Sequence, residues 1–549
     1  MDNYAIADQL SLLSKLMDIH GENAFKAKSY ASAAFAIEQF PQEIASLPPG
    51  KLFSVKGIGE SVGARISELL QTGELPLLQE YLAKTPPGVL DIMNIKGLGP
   101  KKIHTLWKEH AIDSVEVLKQ FCLDNKLSEI KGFGAKTQQK ILEEINYQQQ
   151  NEGLYLYAQV ESFALAFASR LQQHFPQHTS EWTGAFRRQL EVIDRLECVT
   201  TIPAEDLKTF LAHQQFGKIT QSGNEIEASS EGIIQLHFHL ETEGTFYQRL
   251  FGTSCSPEFL TAWQQAYGNA PASGEEELFQ QAGLPFIPPY LRETPAILEK
   301  AKNGALGTPI QPGDVRGLIH SHSNWSDGAS TIEQMAHELI ALGFEYLVIS
   351  DHSKAAFYAN GLSEQRIREQ HRYIDELNAR LAPFKIFKSI ECDILSDGAM
   401  DYSDEVLSTF DLVIASVHSN LQMDEEKAMK RLLGAIANPY VTILGHMTGR
   451  LLLKRKGYPV DHKALIDACA EHGVVIEINA HPIRLDMDWR WIEYAREKGV
   501  LLSINPDAHT LEEFHNIKYG VLVAQKGGLT KKENLSSMSR KEFEAFLKR

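Results

Sequence analysis

Between Val315 and Thr510 the chain repeats one pattern, a short apolar run that ends in residues able to bind a metal ion. His320 and His322 follow Gly-Leu-Ile, Asp351 and His352 follow Tyr-Leu-Val-Ile-Ser, and Glu391 follows Ile-Phe-Lys-Ser-Ile. His418 ends Leu-Val-Ile-Ala-Ser-Val, and His446 ends Val-Thr-Ile-Leu-Gly. Asn479 and His481 end Val-Val-Ile-Glu-Ile, and Asp507 and His509 end Leu-Leu-Ser-Ile-Asn-Pro. One histidine after a strand is ordinarily a packed or surface residue; recurrence at run after run needs a common cause. Imidazole and carboxylate without thiolate suit zinc, manganese or iron rather than a structural zinc finger. The donors outnumber what one tetrahedral ion uses, so two or three ions are implied. Clustered ions activate water and clamp the oxygens of a phosphate ester, so the stretch reads as a phosphoester hydrolase.

Continuous β-branched runs read as strands buried on both faces of a parallel sheet. Amphipathic segments such as Thr331–Leu342 and Glu364–Leu381 lie between them, and that alternation marks repeated βα units. Seven units close into a barrel that gathers the strand C-termini at one rim. Residues about 190 positions apart then converge.

A second pattern occurs three times near the N-terminus: Val-Lys-Gly57-Ile-Gly59, Ile-Lys96-Gly97-Leu-Gly99 and Ile-Lys131-Gly132-Phe-Gly134. Each is a tight turn that feeds a helix N-terminus, where freed backbone amides can face a phosphate oxygen. Lys96, Lys101, Lys102, Lys131 and Lys136 add positive charge beside the second and third copies. One Gly-x-Gly is a plain turn; three point to sequence-independent contact with a DNA backbone.

His320-Ser-His322, Trp-Ser-Asp327-Gly and Ser-Asp-His352-Ser, followed by Glu391, His418, His446, Asn479-Ala-His481-Pro and Pro-Asp507-Ala-His509, resemble the motif series of the polymerase-and-histidinol-phosphatase (PHP) domain. The resemblance implies three divalent ions, manganese, zinc or iron. His320, His322, Glu391 and Asp507 would hold the first, Glu391, His418 and His446 the second, and Asp327, His352 and His509 the third. Asn479, His481 and Arg484 would lie at the rim as substrate contacts. Asp351 would either orient a ligand imidazole or cap a helix.

The N-terminal hairpins, with Asn23-Ala-Phe-Lys-Ala-Lys-Ser-Tyr, resemble the lyase and fingers domains of bacterial X-family DNA polymerases. The family's Schiff-base lysine matches Arg65, whose guanidinium stays protonated, so no lyase activity is expected. The following region resembles that family's palm, where three aspartates hold two magnesium ions. Here Thr183-Gly184-Ala-Phe-Arg187-Arg188 precedes Asp194-Arg-Leu196-Glu197, and His237 stands at the third acid. The second acid falls on Leu196 or slips to Glu197. The palm is therefore expected to be degenerate, with magnesium a cofactor only if it is active.

The 549 residues exceed one core, and the expected fold is multidomain. It comprises helical helix–hairpin–helix regions at 1–85 and 86–150, an α+β nucleotidyltransferase-like palm at 151–290, a Pro-rich linker at 291–313 and an α/β seven-stranded PHP barrel at 314–549. Pro41, Pro48 and Pro49 are expected to break the first helices. No apolar run spans a membrane, no secretory signal is visible, and five scattered cysteines fit a reducing cytoplasm. A net charge of −17 argues against a basic nucleic-acid coat without excluding local DNA contacts. Lys454-Arg455-Lys456 could touch a phosphate strand. The leading expectation is a cytoplasmic, monomeric DNA-repair nuclease acting on gapped, nicked or 3′-ended DNA. The resemblance implies 3′→5′ exonuclease activity, with abasic-site cleavage and 3′-phosphate removal as further activities. The alternatives are an active gap-filling polymerase with an editing nuclease, a DNA-end binding module, and a small-molecule phosphatase.

Overall fold

The computed structural model describes residues 1–548 apart from 39, 41, 49 and 270. The chain forms two compact units, Met1–Glu152 and Gly153–Arg549. Of the proline breaks, Pro41 and Pro49 lie outside the described residues, and Pro48 is in non-helical chain.

The first unit is helical. Asn3–His20 and Ala24–Glu38 bury Leu10, Leu13, Met17, Tyr30 and Ile37 in one core. A second core gathers Ile95, Leu98, Ile103, Leu127, Phe133 and Ile141. The apolar residue inside each Gly-x-Gly (Ile58, Leu98, Phe133) is buried, so each turn is anchored from below while its glycines stay exposed.

The second unit begins with a five-stranded mixed sheet in the order Ser180–Thr183, Arg195–Thr200, Ile233–Leu240, Glu225–Ser230, Lys218–Ser222. Helices Tyr157–His174 and Ala204–His213 bury Phe167, Leu171, Leu207 and Phe210 in its core. Seven parallel strands then follow in sequential order: Gly317–Leu318, Tyr346–Ile349, Lys385–Asp393, Leu412–Ser416, Ile443–Leu444, Val475–Asn479 and Leu502–Asn505. A parallel bridge between Ser321 and Ala508 links the first and last ends, giving the near-barrel that seven βα units imply. The helix Ile332–Ala341 is capped by Thr331, and Glu364–Leu381 by Ser363.

Burial on both faces explains the unbroken apolar runs. Leu347, Ile349, Val413 and Ala415 face one core cluster. The alternating Tyr346, Val348, Leu412 and Ile414 face another, together with Leu535 and Phe543. Phe543 stacks on Tyr346 at 4.6 Å between ring centroids. This packing lies toward the strand N-termini and leaves the opposite ends free for polar side chains.

The stretch read as a semi-rigid connector is folded instead. Helix Ala296–Lys302 buries Leu298 and Ala301 against Phe251, Phe279 and Leu291, and Ile310 joins the barrel core. Proline spacing sets local conformation, whereas the apolar residues between the prolines decide whether the segment docks.

Candidate functional site

The candidate metal ligands read from the sequence meet at the strand C-termini. Glu391, fully buried, lies at the centre. Its Oε1 is 3.0 Å from His446 Nε2, 3.1 Å from His418 Nε2 and 3.2 Å from His320 Nε2. Its Oε2 is 3.0 Å from His352 Nδ1 and 3.6 Å from His322 Nε2. Asp507 Oδ1 lies 3.2 Å from His322 Nε2 and 3.4 Å from His320 Nε2. Asp327 Oδ2 lies 3.5 Å from His352 Nε2 and 3.6 Å from His509 Nε2. Two donors about 2.1 Å from a tetrahedral ion lie ~3.4 Å apart, which these spacings match. His320 Nε2 and Glu391 Oε2 are buried without a hydrogen-bond partner, as groups awaiting an ion would be. The residues therefore fit several metal ions, and His322 and His352 each belong to two of the donor groups.

His320 and Asp507 have positive φ, 62° and 53°. Left-handed backbone at a non-glycine residue costs about 1–3 kcal/mol, here at the ligands ending the first and last strands. Burial raises the carboxyls of Glu391 and Asp507, but the imidazoles around them, His418 and His320 for Glu391 and His320 and His322 for Asp507, hold both well below the ordinary range. Burial lowers His418, yet Glu391 and Asp393 lift it to about 10. Burial also opposes the charge on His509, which Asp327 and Asp507 lift to about 9. His322 is pushed down to about 3 by burial and by His509 and His352. Metal loading must displace the protons on His418 and His509.

Three supporting carboxylates escaped the sequence reading in whole or part. Glu477, fully buried, takes His320 Nδ1 at 2.5 Å and the His446 amide at 3.0 Å. Asp393 sits 3.3 Å from His418 Nδ1. Glu477 fixes the orientation of an imidazole from its far side, and Asp393 faces the far side of His418. Asp351 does neither of the jobs expected of it. It accepts from Ser323 N at 2.8 Å, Ser323 Oγ at 2.7 Å, Ser326 Oγ at 2.5 Å and Gln370 Nε2 at 2.6 Å, pinning the loop that carries His322 and Asp327.

Asn479 is also corrected. It is fully buried and donates to Glu477 Oε1 and Asp507 Oδ2, each at 3.0 Å, so it positions Asp507 and does not reach a substrate. Arg484 does lie at the rim, with Nε 3.4 Å from Asp507 Oδ2. His481 is partly exposed, 3.7 Å from Glu513 Oε1. Arg455 is turned inward onto the Gly449 carbonyl, which removes the middle of the basic run from phosphate contact.

In the first unit the three hairpins share one geometry. Gly57, Gly97 and Gly132 have φ of 99°, 88° and 94°. The amides of Ile58, Leu98 and Phe133 close turns onto Val55, Ile95 and Ile130 at 3.0, 3.2 and 3.0 Å. Gly59, Gly99 and Gly134 are the N-caps of the next helices and offer no side-chain cap, so the first helical amides face outward. Lys56 takes the same turn position as Lys96 and Lys131, an equivalence the sequence reading passed over. Lys101 and Lys136 are exposed in the first turns after the second and third glycine pairs. Lys102 folds back on the Gly97 carbonyl at 3.1 Å.

In the five-stranded sheet, Leu196 is fully buried in the core and cannot stand for a catalytic acid. Asp194 is exposed and precedes the strand. Glu197 pairs in register with His237 and so shares its face. Arg187 binds Glu275 at 2.5 Å, and Arg188 binds Glu293 through two nitrogens. Glu293 also holds Lys526, whose ammonium is pushed down to about 8 by burial against the pull of that carboxylate. Both arginines are thus committed to internal pairs.

Comparison with known proteins follows this division. A helix-hairpin-helix domain model matches residues 1–75, a SAM-like helix-hairpin-helix tandem model 89–146, and a PHP domain model 319–481. A DNA polymerase/3′-5′ exonuclease PolX of Bacillus subtilis is 34% identical over 98% of each chain. A probable phosphatase of Caldanaerobacter subterraneus is 30% identical over 35% of this chain and 74% of its own. A probable phosphatase of Escherichia coli is 28% identical over 35% and 78%. Among the described residues, no helix is long and apolar enough to cross a membrane.

Proposed function

This chain belongs to the bacterial PolX family of DNA polymerase/3′-5′ exonucleases, and from that premise we propose that its barrel rim trims DNA 3′ ends in repair. The observation that carries the reading is the complete donor set around Glu391, with spacings suited to ions. His320, His322, Glu391 and Asp507 would hold one ion, Glu391, His418 and His446 a second, and Asp327, His352 and His509 a third, with manganese, zinc or iron as occupants. Such ions supply Lewis acidity toward a phosphodiester. Arg484 offers its planar guanidinium fork to the non-bridging phosphate oxygens. His481, with Glu513 beside it, hands a proton to the leaving 3′-oxygen. The three hairpins hold gapped, nicked or 3′-ended DNA by its phosphates, irrespective of sequence, and the same rim would open abasic sites or remove a 3′-phosphate.

The test is a 5′-labelled gapped primer–template with chelator-treated full-length protein. Stepwise shortening on adding manganese, lost in His320→Ala, is expected. Shortening that survives His320→Ala overturns the assignment.

A second reading has its own support. The Bacillus relative, matched over nearly the whole of both chains, is named for polymerase as well as exonuclease, which favours a gap-filling polymerase with an editing nuclease over a core that has lost polymerisation. Against it stand Leu196 in the core and His237 opposite Glu197 on the same face of the sheet. A fully active palm requires Glu197 and exposed Asp194 to hold magnesium between them.

A further inference from the structure

We propose that the five-stranded sheet carries a separate metal site for one zinc-class ion, held by Glu197, His237 and His239, with Glu225 at its edge. Register puts these residues together. Strand Arg195–Thr200 runs parallel to Ile233–Leu240 with Glu197 opposite His237 and Val199 opposite His239. Strand Glu225–Ser230 runs antiparallel on the other side with Glu225 opposite His239. Side chains of paired residues share a face, so two imidazoles and two carboxylates meet over the central strand.

Donor atoms of Glu197, His237 and His239 all lie within 4.8 Å of one another. His239 Nε2 is 3.3 Å from Glu197 Oε2, and His239 Nδ1 is 3.6 Å from Glu225 Oε1. His237 Nε2 is 3.4 Å from Glu225 Oε2. Both histidines are more than nine-tenths buried, at 6% and 5% exposure. Neither ring nitrogen of His237, nor Nδ1 of His239, has a hydrogen-bond partner. Burying such nitrogens unpaired costs free energy that a bound ion would remove. Arg195 flanks the group, its Nε 3.8 Å from Glu197 Oε1.

The backbone makes room for this carboxylate. Gly184, at φ 62°, would carry a Cβ only 2.2 Å from Glu197 Oε1, so glycine is required for Glu197 to lie where it does. Two imidazoles and a carboxylate suit zinc and its first-row neighbours. Magnesium demands octahedral oxygen ligands, so the face selects against it.

The experiment counts zinc. Full-length protein is stripped with chelator, dialysed against zinc in a large excess of magnesium, and its bound zinc measured by atomic absorption. The comparison is His320→Ala/Asp507→Asn protein, which cripples the barrel rim, with and without His237→Gln/His239→Gln. Thermal unfolding of each variant reports folding independently of activity. The added pair is expected to remove one equivalent of zinc. If the double-histidine variant unfolds, Glu197→Gln in the same background carries the comparison, with the same one-equivalent loss expected. Equal zinc counts in folded proteins overturn the site and leave a buried imidazole–carboxylate pair. The count is independent of whether the barrel cleaves DNA.

Discussion

Two sheets in this chain present polar side chains from adjacent strands, and they differ in what they present. The barrel rim holds eight imidazoles and carboxylates around Glu391, backed by Glu477, Asp393 and Asn479. The five-stranded sheet presents Glu197, His237 and His239 on one face, and Arg187 and Arg188 beside it are tied into internal pairs. The rim's donors come with residues that orient them from behind, whereas neither ring nitrogen of His237 has a hydrogen-bond partner.

The contrast can be broken most sharply at Asp507. Asp507→Asn removes a ligand charge worth several kcal/mol, on the order of 10³-fold in rate, and exonuclease assays on a labelled primer should show that loss. A loss below tenfold would place the chemistry elsewhere. Glu477→Gln acts through its neighbours His320, His446 and Asn479; metal affinity, read by titration, should fall about 10–100-fold, with activity restored at higher manganese. Activity that stays lost at saturating metal would give Glu477 a direct role.

Metal removal sharpens the comparison through pH. In stripped protein the folded pKa values of His418 and His509, about 10 and 9, lie above the free-imidazole value. A raised imidazole pKa contributes stability that is full below about 6.5 and is lost as pH rises through the folded value. The thermal midpoint of stripped protein should therefore fall between pH 7 and 10, and that of loaded protein should fall less. Parallel curves would contradict the rim electrostatics. The smallest effect is expected in the hairpins. Replacing Lys56, Lys96 and Lys131 together by Ala should lower the log–log salt slope of DNA binding by about 2–3. An unchanged slope would remove those turns from the phosphate contacts.

Much of the rim was legible because the barrel is periodic. Each candidate ligand except Asp327 follows a buried run, and closure brings His320 and Asp507 together without any local signal of their distance. Glu477 was readable too, as a lone charge inside Val-Val-Ile-Glu-Ile, since a buried carboxylate needs a partner. The slip between Leu196 and Glu197 is a matter of period. Leu196 and Cys198 alternate into the core, which puts Glu197 on the opposite face. Lys56 stands at the turn position of Lys96 and Lys131, but Glu60 in the helix that follows offsets its charge in the sequence pattern. The docking of 291–313 depends on contacts of Leu298 and Ile310 with distant segments, which proline content does not report.

Glu391→Gln tests most directly the proposal that the barrel rim cleaves DNA while the five-stranded sheet does not polymerise it. This variant removes the shared carboxylate, so any primer extension masked by degradation becomes visible. On a 5′-labelled gapped primer–template with manganese, magnesium and the four deoxynucleotides, wild type should shorten the primer and Glu391→Gln should leave it at its original length. Extension by Glu391→Gln would contradict the account and make the chain a polymerase with an editing nuclease.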